Sequence, residues 1–294
     1  MNSAAQFFAL RSSDVRRRFD RAADEFEEFD FVHSVTREGL LARLEPMVVE
    51  AKTVVDLGCA TGSACKPLAK RFRRAHIIAL DLSASMLQQV RRKQSWLSKY
   101  SLLHANATAI PLADQSVDVV FANQLLPWID APTTMFAEVA RVLRENGLFL
   151  FATLGPDSLS ELRQAWRSAD TGVHVNRFLD MHDIGDAAIR AGLTDPVLDV
   201  DRLSVTYPHA GALFRDLTGC GARNSLADRS RTLVSKARFD TMTATLEQHR
   251  KNGAIELDLE LIYGHCWGAG PRSPNSEIRI DPGQIGRRTE RFVK

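Results

Sequence analysis

Hydrophobic positions change their period along the chain. From residue 14 to 45 they recur near helical spacing: Phe19, Ala22, Ala23, Phe26, Phe29, then Leu40, Leu41 and Leu44. After that, short runs of the buried-strand type alternate with helical patterns. Thr53-Val54-Val55-Asp56-Leu57 stops at Gly58, and His76-Ile77-Ile78-Ala79-Leu80 ends at Asp81. Ser101–His104, Val117–Phe121 and Leu148–Leu154 read as further strands. Between them, 64–73 is helical in pattern, Ser83 is a good N-cap for a helix carrying Met86, Leu87 and Val90, and Pro132–Leu143 is a helix stopped by Asn146-Gly147. Strands alternating with helices predict βαβ units, hence a doubly wound α/β sheet that is parallel and covered on both faces.

The second half is less regular. His182–Gly192 reads as a helix, Pro196–Tyr207 and Ile255–Trp267 as long alternating strands, and 209–251 as a polar helical insertion between them, above the same crevice. Residues 268–294, rich in Gly, Pro and Arg, read as a loose tail after a single domain spanning 1–267. In an open α/β sheet the ligand sits beyond the carboxyl ends of the strands. Gly58, Asp81, Asn106 and Asn123, each at or just past a strand end, are therefore expected to face one crevice.

Composition narrows the class. With 294 residues, 45% hydrophobic and 25% charged, the chain holds enough apolar side chain for a sizeable core. No apolar run approaches the ~18 residues of a membrane-spanning helix. A net charge of +2 argues against a general nucleic-acid binder. Cys59, Cys65, Cys220 and Cys266 form no Cys-x-x-Cys pair, so neither a structural zinc nor a disulfide scaffold is expected, and no metal site is assigned. The N-terminal stretch is a poor signal peptide, and the chain reads as cytoplasmic.

The segment Asp56-Leu57-Gly58-Cys59-Ala60-Thr61-Gly62 bears on the cofactor. A phosphate-cradling loop needs a Gly-Lys-Ser/Thr ending that is absent here, and the dinucleotide pattern Gly-x-Gly-x-x-Gly fails at Ala60 and Ser63. An acid followed by Gly-x-Gly-x-Gly, with Ala60 in the middle position, fits S-adenosylmethionine. That ligand offers a cationic ammonium and a sulfonium rather than a phosphate. Asp81 is placed to accept from the ribose hydroxyls, with Leu82 and Met86 beside the adenine. Asn106-Ala107 follows the third strand, where Asn106 Oδ1 can accept from the adenine amino group.

With these residues in view, the chain resembles the methyltransferases built on a seven-stranded Rossmann-like sheet. More specifically it resembles the BioC family, the malonyl-acyl-carrier-protein O-methyltransferases. The resemblance runs through Phe19-x-Arg21-Ala22-Ala23, Asp56–Gly62, Asp81-Leu82-Ser83 and Asn123-x-x-x-x-Trp128. It continues in Ser158-Leu159-x-Glu161-Leu162-x-x-Ala165-Trp166, His174-x-Asn176-Arg177-Phe178 and Gly219-x-Gly221-Ala222.

The resemblance implies N-terminal helices over the site, a helical lid between the last two strands, and methylation of the free carboxylate of malonyl-acyl-carrier protein, early in biotin synthesis. A carboxylate is ionised at neutral pH (reference pKa about 4), so no general base, and no catalytic side chain, is required. A cation is needed to recognise it, and Arg177 and Arg163 are the candidates. Phe26 stands where such enzymes place a Tyr over the site, and Trp128 is expected to wall it. Arg223, Arg229, Arg231, Lys236 and Arg238 are candidates for docking an acidic carrier, with Arg16, Arg17 and Arg18 as a second cluster. Three alternatives stay open: a protein arginine hydroxylase of the complex I assembly-factor type, a small-molecule carboxyl or quinone methyltransferase, and a non-catalytic binding module.

Overall fold

The computed structural model describes residues 10–94, 100–229 and 234–269. Among these, five strands run parallel: β1 (Thr53–Leu57), β2 (His76–Asp81), β3 (Tyr100–His104), β4 (Val117–Asn123) and β5 (Leu143–Leu154). β6 (Leu193–Tyr207) and β8 (Ala254–Gly268) are long and pair antiparallel, β8 lying between β5 and β6; β7 (Arg250–Lys251) forms a short hairpin with β8. The order is β3-β2-β1-β4-β5-β8-β6, so the winding direction reverses between β1 and β4. A crevice opens at that switch point, beyond the strand ends.

Side chains on successive strand residues point to opposite faces. Val54, Val119, Phe121, Leu148 and Leu150 therefore join one core with Leu40 and Leu44 of α2 (Phe31–Leu44), Leu68 of α3 (Cys65–Arg71) and Leu87 of α4 (Ala84–Lys93). Val55, Leu57, Val120, Phe149 and Phe151 join the other with α5 (Pro132–Val142) and α7 (Met181–Ala191). Phe136, Phe149 and Phe151 pack ring to ring there, with centroids 5.1–6.0 Å apart. A third, smaller cluster joins Ala22 and Ala23 at the end of α1 (Ser12–Ala22), Phe26, Met86 and Cys220. It seals the N-terminal helices onto the crevice.

Several boundaries differ from the sequence reading. The 14–45 stretch is two α-helices separated by a single 3-10 turn, Phe26–Glu28. Helix α5 ends at Val142, and the chain enters β5 at once, Leu143 pairing with Val117. Asn146-Gly147, expected to stop the helix, lies inside β5 where the register shifts, with Asn146 in the left-handed region. β6 starts three residues before Pro196, which falls in a second register shift, as suits a residue without an N–H.

The insertion between β6 and β8 is not continuously helical. α8 (Ala210–Gly219) and α9 (Lys236–Glu247) are separate helices; residues 220–229 after α8 are not helical, and Leu226 among them bridges to Leu10. Helix α6 (Ser160–Ala169) packs against α9. The expected tail from residue 270 and Arg231 lie outside the described residues.

Candidate functional site

The turn after β1 is built for close approach. Gly58 (φ +74°) and Gly62 (φ +78°) adopt left-handed backbone, and a Cβ on Gly58 would lie 2.8 Å from Leu125 Cδ1. Ala60 stands where the loop pattern has glycine and takes φ +46°, a conformation that costs a side-chain-bearing residue about 1–2 kcal/mol. The N–H groups of Gly58 and Cys59 donate to the Leu80 carbonyl, and the Ala60 N–H donates to Asp81 Oδ2 at 2.9 Å. Ser83 N–H donates to the other Asp81 oxygen at 2.7 Å. Each Asp81 oxygen keeps a second lone pair for a ligand.

The crevice beside this turn is lined by Gly58, Ala60, Asp81, Leu82, Asn106, Ala107, Asn123 and Trp128. It continues into a smaller hollow lined by Asp56, Cys59, Asn123, His33 and Arg37. Eight of the ten cofactor residues read from the sequence therefore converge: Asp56, Gly58, Cys59, Asp81, Leu82, Asn106, Ala107 and Asn123. Two do not line it. Gly62 shapes the turn against Val90, and Met86 is wholly buried in the cluster beneath α1. Met86 sits at N3 of α4, buried beneath Ala22, Ala23 and Phe26.

Electrostatically the crevice calls for a cation. Burial pushes Asp56 up to about 7, helped by the charge of Asp81 and opposed by the Cys65 thiol that donates to it. Burial also raises Asp81, to about 6, against the two backbone N–H bonds that favour its charged form. Two carboxyls that ionise reluctantly without a ligand are suited to a positively charged one.

The N-terminal segment closes over this loop. Glu27 accepts from Thr61 Oγ1 (2.9 Å) and Ser63 Oγ (3.2 Å) and pairs with Lys93. The separation of these residues in the chain left no local signal for this clamp.

A second cavity, about 560 Å³, opens past the ends of β4 and β5, at Gln124, Trp128 and Leu154. Its walls are mostly apolar: Val32 of α2, Leu162 and Trp166 of α6, and Leu213, Phe214 and Phe239 of the insertion. Three residues line both this cavity and the cofactor crevice: His33, Gln124 and Trp128. Trp128 stands edge-on to Phe19, centroids 5.1 Å apart, at the junction of the two cavities.

Phe26, expected over the acceptor, lines the cofactor crevice and its hollow and not the second cavity. The two arginines chosen for the acceptor carboxylate are absent from the second cavity. Arg163 donates to the carbonyls of Asn176 (3.1 Å), Pro156 (2.6 Å) and Ser158, and its guanidinium lies over the Phe178 ring; it pins the chain after β5. Arg177 lines a small cleft with Leu126, Pro127 and Leu226.

The cavity's cations are instead Arg18 of α1 and Arg223 and Arg229 of the insertion. Arg18 donates to the Asn224 carbonyl at 2.7 Å, and Arg229 pairs with Asp14 at 3.0 Å. Burial and the neighbouring Arg229 and Arg223 charges lower the Arg18 pKa, so the three guanidiniums together favour an anion. His174 also lines the cavity, stacked on Trp166 at 3.8 Å and bonded to Asp170.

A family model described as a methyltransferase domain matches residues 55–151. The malonyl-[acyl-carrier protein] O-methyltransferase of Halorhodospira halophila is 38% identical over 93% of this chain and 95% of its own. The chain belongs to the malonyl-[acyl-carrier protein] O-methyltransferase family. Relatives of that name from Methylovorus (38% identical, 95% of both chains) and Legionella pneumophila (36%, 91% of this chain and 94% of the relative) span it as fully.

More distant structures share the family's fold. YcgJ protein from Bacillus subtilis superposes with TM-score 0.59 at 15% identity, over 80% of this chain and 99% of its own. Haemonchus contortus phosphoethanolamine N-methyltransferase 2, solved with S-adenosyl-L-methionine, gives 0.53 at 15%, over 86% of this chain and 57% of its own. Both confirm the Rossmann-like methyltransferase architecture expected for a family member.

The residues present fit S-adenosylmethionine as this family's methyl donor. Asn123 Oδ1 is buried without a partner at the hollow beside Asp56, an acceptor suited to an ammonium. Arg37, in the same hollow, is a counterpart for an α-carboxylate.

Proposed function

We propose that this chain methylates the free carboxylate of a malonyl thioester carried by acyl carrier protein, with S-adenosylmethionine as donor. The observation that carries the reading is the pair of cavities meeting at His33, Gln124 and Trp128. One is acid-lined and shaped for a cationic nucleoside; the other is apolar with three arginines, suited to an anionic acyl group. When bound, S-adenosylmethionine supplies a methyl carbon to which a carboxylate oxygen bonds as the C–S bond breaks, the electron pair remaining on sulfur. The chain's own task is positioning. Asp81 and Asn106 orient the adenosine, Asp56 and Asn123 hold the amino-acid end, and Trp128 and the apolar walls keep water from the reacting atoms. The carboxylate is already ionised, so no side chain needs to take a proton.

Carrier docking fits the mouth of the acceptor cavity. Arg223, Lys236 and Arg238 are exposed there, next to the cavity-lining Val234 and Phe239, with Arg16 and Arg17 exposed on α1. Arg229 is committed to Asp14 and the Leu226 carbonyl, and its role is to hold the insertion on α1. An arginine-hydroxylase reading is disfavoured by charge, because a substrate guanidinium would enter a cavity already holding three. Among the described residues no helix is long and apolar enough to cross a membrane. A cytoplasmic place, early in biotin precursor synthesis, accompanies this reading.

The test is intact-mass analysis of malonyl-acyl-carrier protein incubated with the enzyme and S-adenosylmethionine, with Asp81→Ala as control. A gain of one methyl, absent in the control and removed by an esterase, is expected. Demonstrated cofactor binding with no gain would overturn the malonyl assignment.

A further inference from the structure

The arginines of the acceptor cavity do not line the cofactor crevice, so a different group must meet the carboxylate where the methyl is transferred. Among the described residues, four buried side-chain polar atoms lack a hydrogen-bond partner, and three cluster at the junction: His33 Nδ1, Gln124 Nε2 and Asn123 Oδ1. Native proteins rarely leave such atoms unpaired, since each costs roughly 1–3 kcal/mol. Asn123 faces the cofactor side only; His33 and Gln124 face both cavities.

Their placement is held from behind. Asn123 Nδ2 donates to the His33 carbonyl at 2.8 Å, tying α2 to the end of β4. Gln124 takes φ +56°, anchored by its N–H on the Ala152 carbonyl at 2.7 Å, and its side chain is buried. A left-handed glutamine with its amide nitrogen unpaired marks a functional constraint rather than a packing choice.

We infer that Gln124 Nε2 and a ring N–H of His33 are the donors that grip the acceptor carboxylate beside the transferred methyl, and so select malonyl over uncharged acyl thioesters. This rests on the malonyl reading above. Two neutral donors orient the carboxylate without the full neutralisation by an arginine that would blunt its nucleophilicity. The arginines farther out then serve to attract the anion and its carrier. Burial, with the charge of Arg37 adding to it, holds the imidazole neutral to about pH 4, which keeps it in this role at neutral pH.

The experiment measures malonyl transfer (kcat and KM), competition by acetyl-acyl-carrier protein, and calorimetric binding of S-adenosylhomocysteine for wild type, Gln124→Leu, Gln124→Asn and His33→Leu. Asn tolerates the left-handed backbone, so Gln124→Asn withdraws the amide while preserving the fold. Loss of one donor to a charged group is expected to lower kcat/KM for malonyl roughly 10- to 100-fold and shrink the malonyl-over-acetyl preference alike. Binding of S-adenosylhomocysteine should stay unchanged. His33→Gln, which keeps a donor, should recover part of the loss. An unchanged malonyl preference in the Gln124 variants overturns the inference, as does a matching loss of S-adenosylhomocysteine affinity, which would assign the pair to the cofactor. A wild type that binds cofactor but leaves malonyl-acyl-carrier protein unmethylated removes the malonyl reading itself, and the inference with it.

Discussion

Ser83 Oγ donates to Asp20 Oδ1 at 2.6 Å, so the first helix is fastened to the N-terminus of α4, two residues past Asp81 in the cofactor crevice. The same carboxylate accepts from Ser85 N–H at 3.4 Å. The N-terminal cover is thereby registered on the cofactor site. Asp20→Ala should weaken S-adenosylhomocysteine binding by about 1–2 kcal/mol, roughly 5- to 30-fold. Calorimetry checks this, and unchanged affinity would mean that α1 is held by its apolar cluster alone.

Asp56 gives a signed pH dependence. Its folded pKa of about 7 exceeds the unfolded 3.8, so the folded chain binds the extra proton between those values. Stability from this group is full below 3.8 and is lost as pH rises through about 7. His33, lowered to about 4, contributes with the opposite sign between 4 and 6.5. The readout is therefore the difference between wild type and Asp56→Asn. The ligand-free variant should gain in relative melting temperature from pH 5 to pH 8, while its affinity for the cationic cofactor falls. A flat difference curve would show that Asp56 titrates normally.

Arg229 and Asp14, with side chains only 20% and 12% exposed, join the insertion to α1. A double-mutant cycle on Arg229→Ala and Asp14→Ala should give a coupling of about 1 kcal/mol in urea unfolding. Each single variant should also raise KM for malonyl-acyl-carrier protein, because Arg229 lines the acceptor cavity.

Lys236→Glu combined with Arg238→Glu should raise KM for malonyl-acyl-carrier protein at low salt and leave malonyl-pantetheine unaffected. The effect should fade as the Debye length shrinks from about 10 Å at 0.1 M to about 3 Å at 1 M. Equal KM changes for both substrates would place these residues in catalysis rather than carrier capture.

Gly219 closes α8 against Phe29, and any Cβ there would overlap the Phe29 ring. Gly219→Ala should destabilise the fold by about 1–3 kcal/mol. It should also raise acceptor KM, since Phe29 lines the acceptor cavity. Thermal melting and steady-state kinetics test both halves.

The sequence by itself determined the central sheet and the cofactor loop. Both rest on short-range rules: short runs of the buried-strand type in Val54–Leu57 and Leu148–Ala152, a capped helix after Asp81, and glycines where the backbone must turn left-handed. Such features are written in consecutive residues, and eight of the ten residues expected at the cofactor line one crevice and its adjoining hollow. Met86 was misplaced because helical spacing marks a buried face without saying which element buries it.

Only the tertiary structure decided the second cavity, the one proposed for the acceptor. His33, Gln124, Trp166, Arg18 and Arg223 come from α2, the end of β4, α6, α1 and the insertion, and no local pattern ties them together. Arg163 and Arg177 stood in the suggestive motifs, but the packing of the chain after β5 turned Arg163 onto backbone carbonyls and left Arg177 in a separate cleft. A guanidinium binds whichever oxygens long-range packing brings within reach, and that packing is a property of the folded whole.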